Sequence, residues 1–137
     1  MTAGKLGDVA FGEELPAFDP DTSLTTVSRF ADLVGWGGGR FQDHEAARKE
    51  GFPGALVPGI MSQGWLVAMI HRWAPAATIQ SIDTVFRAPV LADEPHNIKG
   101  VVTDINEEDA RVEIDLTVVN SKAETRVFGT ASVTMPR

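Results

Sequence analysis

Two hydrophobic periods divide the chain near Pro75. Before it, Ile60, Met61, Trp65, Leu66, Val67, Met69, Ile70 and Trp73 recur at the helical period and cover more than one face, which predicts a central helix over about 59–74 buried on most sides. Ser62, Gln63 and His71 interrupt the run, and it is too short to span a membrane. After Pro75 the period becomes 2. Residues 78–88 alternate around Ile79, Ile82, Val85 and Phe86, imperfectly near Ser81, and Pro89 ends the run in a connection over 90–95. Residues 96–105 read as a strand, 106–109 as a turn, 110–120 as the returning strand, 120–122 as another turn and 124–135 as the last strand. Val112, Ile114, Leu116 and Val118 form the cleanest alternation. The pattern predicts hairpin after hairpin: an antiparallel sheet of four or five long strands whose apolar face packs on the helix, an α+β arrangement.

The first half is less regular. Residues 1–23 read as an irregular arm tacked down by Phe11, Leu15, Pro16 and Phe18, followed by a strand over 22–27. Ser28 suits the N-cap of a short helix through Val34, which the glycines after Gly35 end. Asp43 caps a second helix over 43–50, with Arg48 and Lys49 late in it as the helix dipole favours. Pro53-Gly54 and Pro58-Gly59 are turn signals, and a helix opening on Gly59 exposes free N–H groups able to receive a carbonyl or an anion. Because the central helix is more apolar than one sheet can cover, a partner subunit is expected, most simply a second copy.

Composition narrows the classes. The 137 residues suit one domain spanning 1–137, and 43% hydrophobic with 23% charged residues suits a folded, soluble chain. No stretch resembles a signal peptide or a membrane span, so a cytoplasmic protein with no membrane partner is expected. A net charge of −7 without clustered Lys or Arg argues against nucleic acid. The absence of cysteine removes thiolate and disulfide chemistry, and the three histidines have no ligand spacing, so no metal is expected. Gly37 to Gly39 lacks the spacing and context of a nucleotide fingerprint, and no cofactor is expected.

The segment from Asp43-His44-Glu45 through Gly51-Phe52-Pro53-Gly54 to Pro58-Gly59-Ile60-Met61 resembles the MaoC-like dehydratase and (R)-specific enoyl-CoA hydratase family, as do the N-terminal arm and Phe86-Arg87-Ala88-Pro89-Val90. The resemblance implies a hot-dog fold, in which a long antiparallel sheet wraps a central helix, and an acyl thioester substrate carried by coenzyme A or an acyl carrier protein. It also implies that the Gly59 amide receives the thioester carbonyl. Aligned on Gly51-Phe52, the family's catalytic Asp and His fall at Trp36 and Phe41, side chains with no titratable group.

The candidate substrate-binding residues are therefore Trp36, Phe41, Gly59 and Ile60, and the candidate catalytic ones are Arg40 and His44. Arg40 suits a carboxylate or phosphate and also an ordinary surface position; His44 is a relocated base or part of a solvated helix start. Trp36 and Phe41 either stack on a substrate or plug the space of the missing dyad, and the sequence leaves both open. Asp83 and Arg87 are placed to line a groove or to face water. His71 reads as a core-edge or interface residue and His96 as an exposed one. Three functions fit. One is a hydratase or dehydratase, a hydro-lyase, with unusual site residues. Another is a non-catalytic hot-dog subunit, in a homodimer or heterodimer, shaping the acyl site of a homologous catalytic partner. The third is a divergent isomerase or cyclase acting on a small hydrophobic ring substrate of polyketide or terpenoid type.

Overall fold

The structure is a computed structural model, and it describes residues 2–137. Three helices, α1 (Leu24–Leu33), α2 (His44–Lys49) and α3 (Gly59–Trp73), precede four strands, β1 (Thr78–Phe86), β2 (His96–Asn106), β3 (Arg111–Asn120) and β4 (Thr125–Thr134). All neighbouring strands are antiparallel in the order β1-β4-β3-β2. The 3.6-to-2 change of period thus marks a real boundary. The buried Met61, Trp65, Leu66, Met69, Ile70 and Trp73 of α3 meet Val112, Ile114, Leu116, Val118, Val127 and Val133 of the sheet. Each such side chain stabilises the fold by roughly 1.5–3 kcal/mol on full burial. The helix lies so close to β2 that a Cβ on Gly100 would come within 2.9 Å of the Met69 methyl.

Two expectations are corrected. Residues 22–27 are not a strand and Ser28 is not a cap. Ser23 caps α1, accepting from the Thr26 amide at 3.3 Å, while Asp21 accepts from the Ser23 amide at 3.0 Å and the Thr26 hydroxyl at 2.6 Å. These local side-chain bonds capture the first turn and override the β-branched composition. Nor does β1 form a hairpin with β2; it lies at the opposite edge, beside β4. Its connection is held elsewhere: the Val57 amide donates to the Val90 carbonyl at 2.8 Å and the Ala92 amide to the Ala55 carbonyl at 2.9 Å, so 90–92 pairs with the approach to α3.

The two sheet edges differ. Along 98–102, β2 is covered by the arm: Gly12 donates to Val102, Leu15 to Gly100 and Val102 to Glu13, at 2.8 to 2.9 Å. Leu15 is buried and Phe18 half-buried as expected, but Phe11 is exposed because the chain turns outward at Gly12, whose φ is +82°. The β1 edge has no neighbour beyond β4 among the described residues. Beside it, Ile60, Val85 and Phe86 are about half exposed, and Ile60, Gly64, Ala68 and His71 trace an incompletely covered face of α3. A Cβ on Gly64 meets nothing within 4 Å. Gly64→Ala is therefore expected to stabilise the isolated chain by about 0.5–1 kcal/mol, read as a higher urea midpoint at low protein concentration.

Candidate functional site

The start of α3 is built for an acceptor. Pro58 precedes it without a side-chain cap, and its carbonyl accepts from the Met61 and Ser62 amides at 3.0 and 3.2 Å. The Ser62 hydroxyl donates to the Gly59 carbonyl at 2.8 Å. The Gly59 and Ile60 amides find no acceptor among the described residues, leaving two donors at the positive end of a 15-residue helix.

A cavity of about 330 Å³ opens beside Gly59. Phe41, Val57, Phe86, Val90 and Val127 provide its apolar walls, and Arg87 is the one ionisable side chain in its lining. Phe86 explains the glycine: a Cβ at position 59 would sit 3.2 Å from its ring. Phe41 reaches the cavity from a 3₁₀ turn, Gly39–Phe41, which Gln42 steadies by accepting from the Gly38 amide at 3.1 Å and donating to Asp32. Gly38, at φ +113°, makes the turn possible. Phe41 narrows the cavity without filling it.

The other candidates are placed differently. Trp36 lines a shallower hollow with Arg40 and Glu50, and its ring centroid lies 5.6 Å from that of Phe41. The two rings touch, so no ring-shaped ligand fits between them in this arrangement. Arg40 pairs with Glu50 at 2.5 Å, and its guanidinium carbon lies 5.5 Å from the Phe52 ring centroid, outside the Gly59 cavity. Ile60 has a free amide but does not line the Gly59 cavity, and its side chain is about half exposed.

His44 has both nitrogens engaged. Nδ1 accepts from the Ala55 amide at 2.9 Å, which fixes the tautomer with hydrogen on Nε2, and Nε2 donates to Asp93 at 2.7 Å. Asp93 also accepts from the Leu24 amide at 2.8 Å, so one carboxylate ties α2 to the start of α1. The hydrogen bond from His44, with that from Leu24, holds the Asp93 carboxyl below its ordinary pKa. In this geometry His44 has no free lone pair facing the cavity and acts as a clamp. His71 is exposed on α3. His96 is buried, not exposed as expected, because Nδ1 donates to the Glu94 carbonyl at 3.0 Å and folds the ring against the chain after Pro95.

Among the described residues no cluster of three His, Cys, Asp or Glu is arranged to hold a metal, and no helix is long and apolar enough to cross a membrane. Phe86, expected only as a strand anchor and as part of the Phe86-Arg87-Ala88-Pro89-Val90 stretch, lies over Gly59 as its lid.

No protein-family profile matches the chain, and no curated protein matches it in sequence. Solved structures do match in fold. The (R)-hydratase PhaJ1 from Pseudomonas aeruginosa, in the unliganded form, is 18% identical over 98% of this chain and 86% of its own, with a TM-score of 0.89. The ChsH1–ChsH2 complex from Mycobacterium tuberculosis is 21% identical over 93% of this chain and 98% of its own, at 0.83. The (R)-hydratase from A. caviae involved in PHA biosynthesis is 16% identical over 93% and 98%, at 0.87. At these identities the likeness is one of fold: the chain has the hot-dog architecture of the (R)-hydratases and MaoC-like dehydratases.

Proposed function

We propose that this chain is an acyl-thioester-binding hot-dog subunit, cytoplasmic, that contributes a cavity and a carbonyl-binding helix start but relies on a homologous partner for acid–base chemistry. The observation that carries this reading is the lining of the Gly59 cavity. It offers the unpaired Gly59 amide and a single ionisable group, Arg87, whose guanidinium is a donor and has no acceptor lone pair to serve as a base. A preorganised amide stabilises negative charge developing on a thioester oxygen, and one such donor is worth about 2.7–4 kcal/mol where measured in other enzymes. Positioning and polarisation are thus available here, whereas removal or delivery of a proton is not.

The free β1 edge, with Ile60, Val85 and Phe86 beside it, is the surface that suits a second hot-dog subunit, either another copy or a homologue carrying the Asp and His. The ChsH1–ChsH2 structure, in which a chain of this fold is part of a complex of two differently named proteins, supports a mixed pair.

The test uses the purified chain and a 2-enoyl-CoA. Calorimetry is expected to show saturable binding, with hydration, followed by loss of the enoyl absorbance, no faster than in buffer. Adding a hot-dog subunit that has the dyad is expected to raise turnover above that of either protein alone. Hydration by this chain alone, or a failure to bind any acyl thioester, overturns the proposal.

A further inference from the structure

Arg87 is out of keeping with the rest of the Gly59 cavity. Around it the walls are hydrocarbon, from Phe41, Leu56, Val57, Phe86, Val90 and Val127. Such walls are sufficient for a plain alkyl or enoyl chain. Laying that chain against a guanidinium strips water from a charge without replacing it.

The backbone at Arg87 is fixed, and its side chain is unclaimed. Val118 pairs with Val127 while Val119 pairs with Thr125, so Arg126 is an extra residue in β4 with no partner on β3. At this bulge the Arg126 carbonyl accepts two successive amides, from Arg87 at 2.9 Å and Ala88 at 3.1 Å, and β1 ends at Phe86. Arg87 thus leaves the strand's alternation. Glu124, the acid just before the bulge, is taken by Arg126 at 2.9 Å. Among the described residues no carboxylate pairs with Arg87. What separates it from an ordinary exposed arginine is the cavity it borders. Beside apolar walls an ion pair is screened less than in bulk water, and a guanidinium offers a carboxylate two parallel N–H groups.

The same cavity sets how far that carboxylate stands from the reacting end. The Gly59 amide is the carbonyl donor, the Phe86 ring lies over it, and Arg87 is the next residue along. A volume of about 330 Å³ is near the low end for ligand sites, so only a short chain joins a carbonyl on Gly59 to an anion on Arg87.

We propose that the Gly59 cavity selects the monothioester of a short dicarboxylic acid, with the thioester carbonyl on the Gly59 amide and the free carboxylate on the Arg87 guanidinium. Resting on the carbonyl site proposed above, this makes Arg87 the residue that determines acyl specificity.

The experiment is calorimetry on the full chain with the N-acetylcysteamine thioesters of glutaric and pentanoic acids. The two acyl chains are equal in length and differ in the terminal carboxylate, and neither ligand carries a phosphate for Arg87 to read instead. The glutaryl thioester is expected to bind about tenfold more tightly, the effect of one charge-assisted pair at a solvent-accessible guanidinium. That advantage is expected to shrink at high salt. Arg87→Met keeps the length of the side chain without its charge; it is expected to weaken the glutaryl thioester to the level of the pentanoyl one, which binds as in the parent. Arg87→Lys, a charge without the fork, is expected to retain part of the preference. Equal binding of the two thioesters by the parent overturns the inference and leaves the carbonyl site standing. An equal loss of both on Arg87→Met also overturns it, since Arg87 is then a wall of the cavity and no reader of charge. If pentanoate, a carboxylate with no second carbonyl, binds as tightly as the glutaryl thioester, the monothioester assignment is overturned and the carbonyl-site reading fails with it. Binding of neither thioester overturns both.

Discussion

Gly129→Ala is expected to cost at least about 3 kcal/mol, beyond the usual range for one added core methyl, and to detach β1 from the sheet. Gly129 stands opposite Thr84 on one side and Leu116 on the other. A Cβ there would overlap the Asp83 carbonyl oxygen and lie 2.9 Å from both the Asp83 carbonyl carbon and the Thr84 Cα. These are backbone atoms of the facing strand, which cannot rotate aside as a side chain does. The clash is relieved only by lifting β1, whose one neighbour in the sheet is β4. Phe86 ends β1 and covers Gly59, so the carbonyl site is expected to lose its lid together with the strand. Urea denaturation beside Gly64→Ala decides the matter, since that variant adds the same methyl to open space. A Gly129→Ala midpoint equal to the parent's would mean that the two strands do not approach so closely.

His44→Phe is expected to cost about 2 kcal/mol at neutral pH, from one unmet amide and one lost charge-assisted hydrogen bond, the latter reduced by solvent at the half-exposed Asp93. The pH dependence has a definite sign. The Asp93 carboxyl titrates lower in the folded chain than its ordinary value of 3.8. Its contribution is therefore fully present above that value and is lost as pH falls through the folded one. The deficit of His44→Phe is expected to narrow below pH 3.8, measured by denaturant melts across the acid range. If activity or ligand binding in the assembled protein collapsed while the melt stayed unchanged, His44 would be a catalytic group and not a clamp.

How far the sequence could be read depended on whether a residue's role was periodic. Central-helix burial and the β3 alternation are repeated over many positions, so α3 and the last three strands were legible to within a residue or two at most ends. Roles that depend on a single local bond were not. Nothing in the composition of 22–27 says that Asp21 and Ser23 will seize the first turn, and β-branched residues point the other way. The position of β1 beside β4 is a long-range choice, settled by the pairing of 90–92 with the approach to α3. At the site, the alignment on Gly51-Phe52 put both Trp36 and Phe41 in place of a dyad, yet the structure brings only Phe41 to the Gly59 cavity. His96 looked exposed because it opens a strand after a proline, and the bond to Glu94 that buries it spans just two residues. Arg126 was illegible for a related reason: a bulge is an error in the alternation, and a single-residue error looks like noise until the partner strand is known.

The arm that seals β2 limits what the chain can build. A sheet with two bare edges can recruit a strand on each side and so continue without end, the geometry of a fibre. Here residues 12–15 occupy one side, and beyond their reach β2 carries a register break between Val102 and Asp104, with an outward carboxylate at Asp104. Strand addition is left with a valence of one. Two chains that meet through their bare edges consume all the pairing capacity either has, and growth stops there.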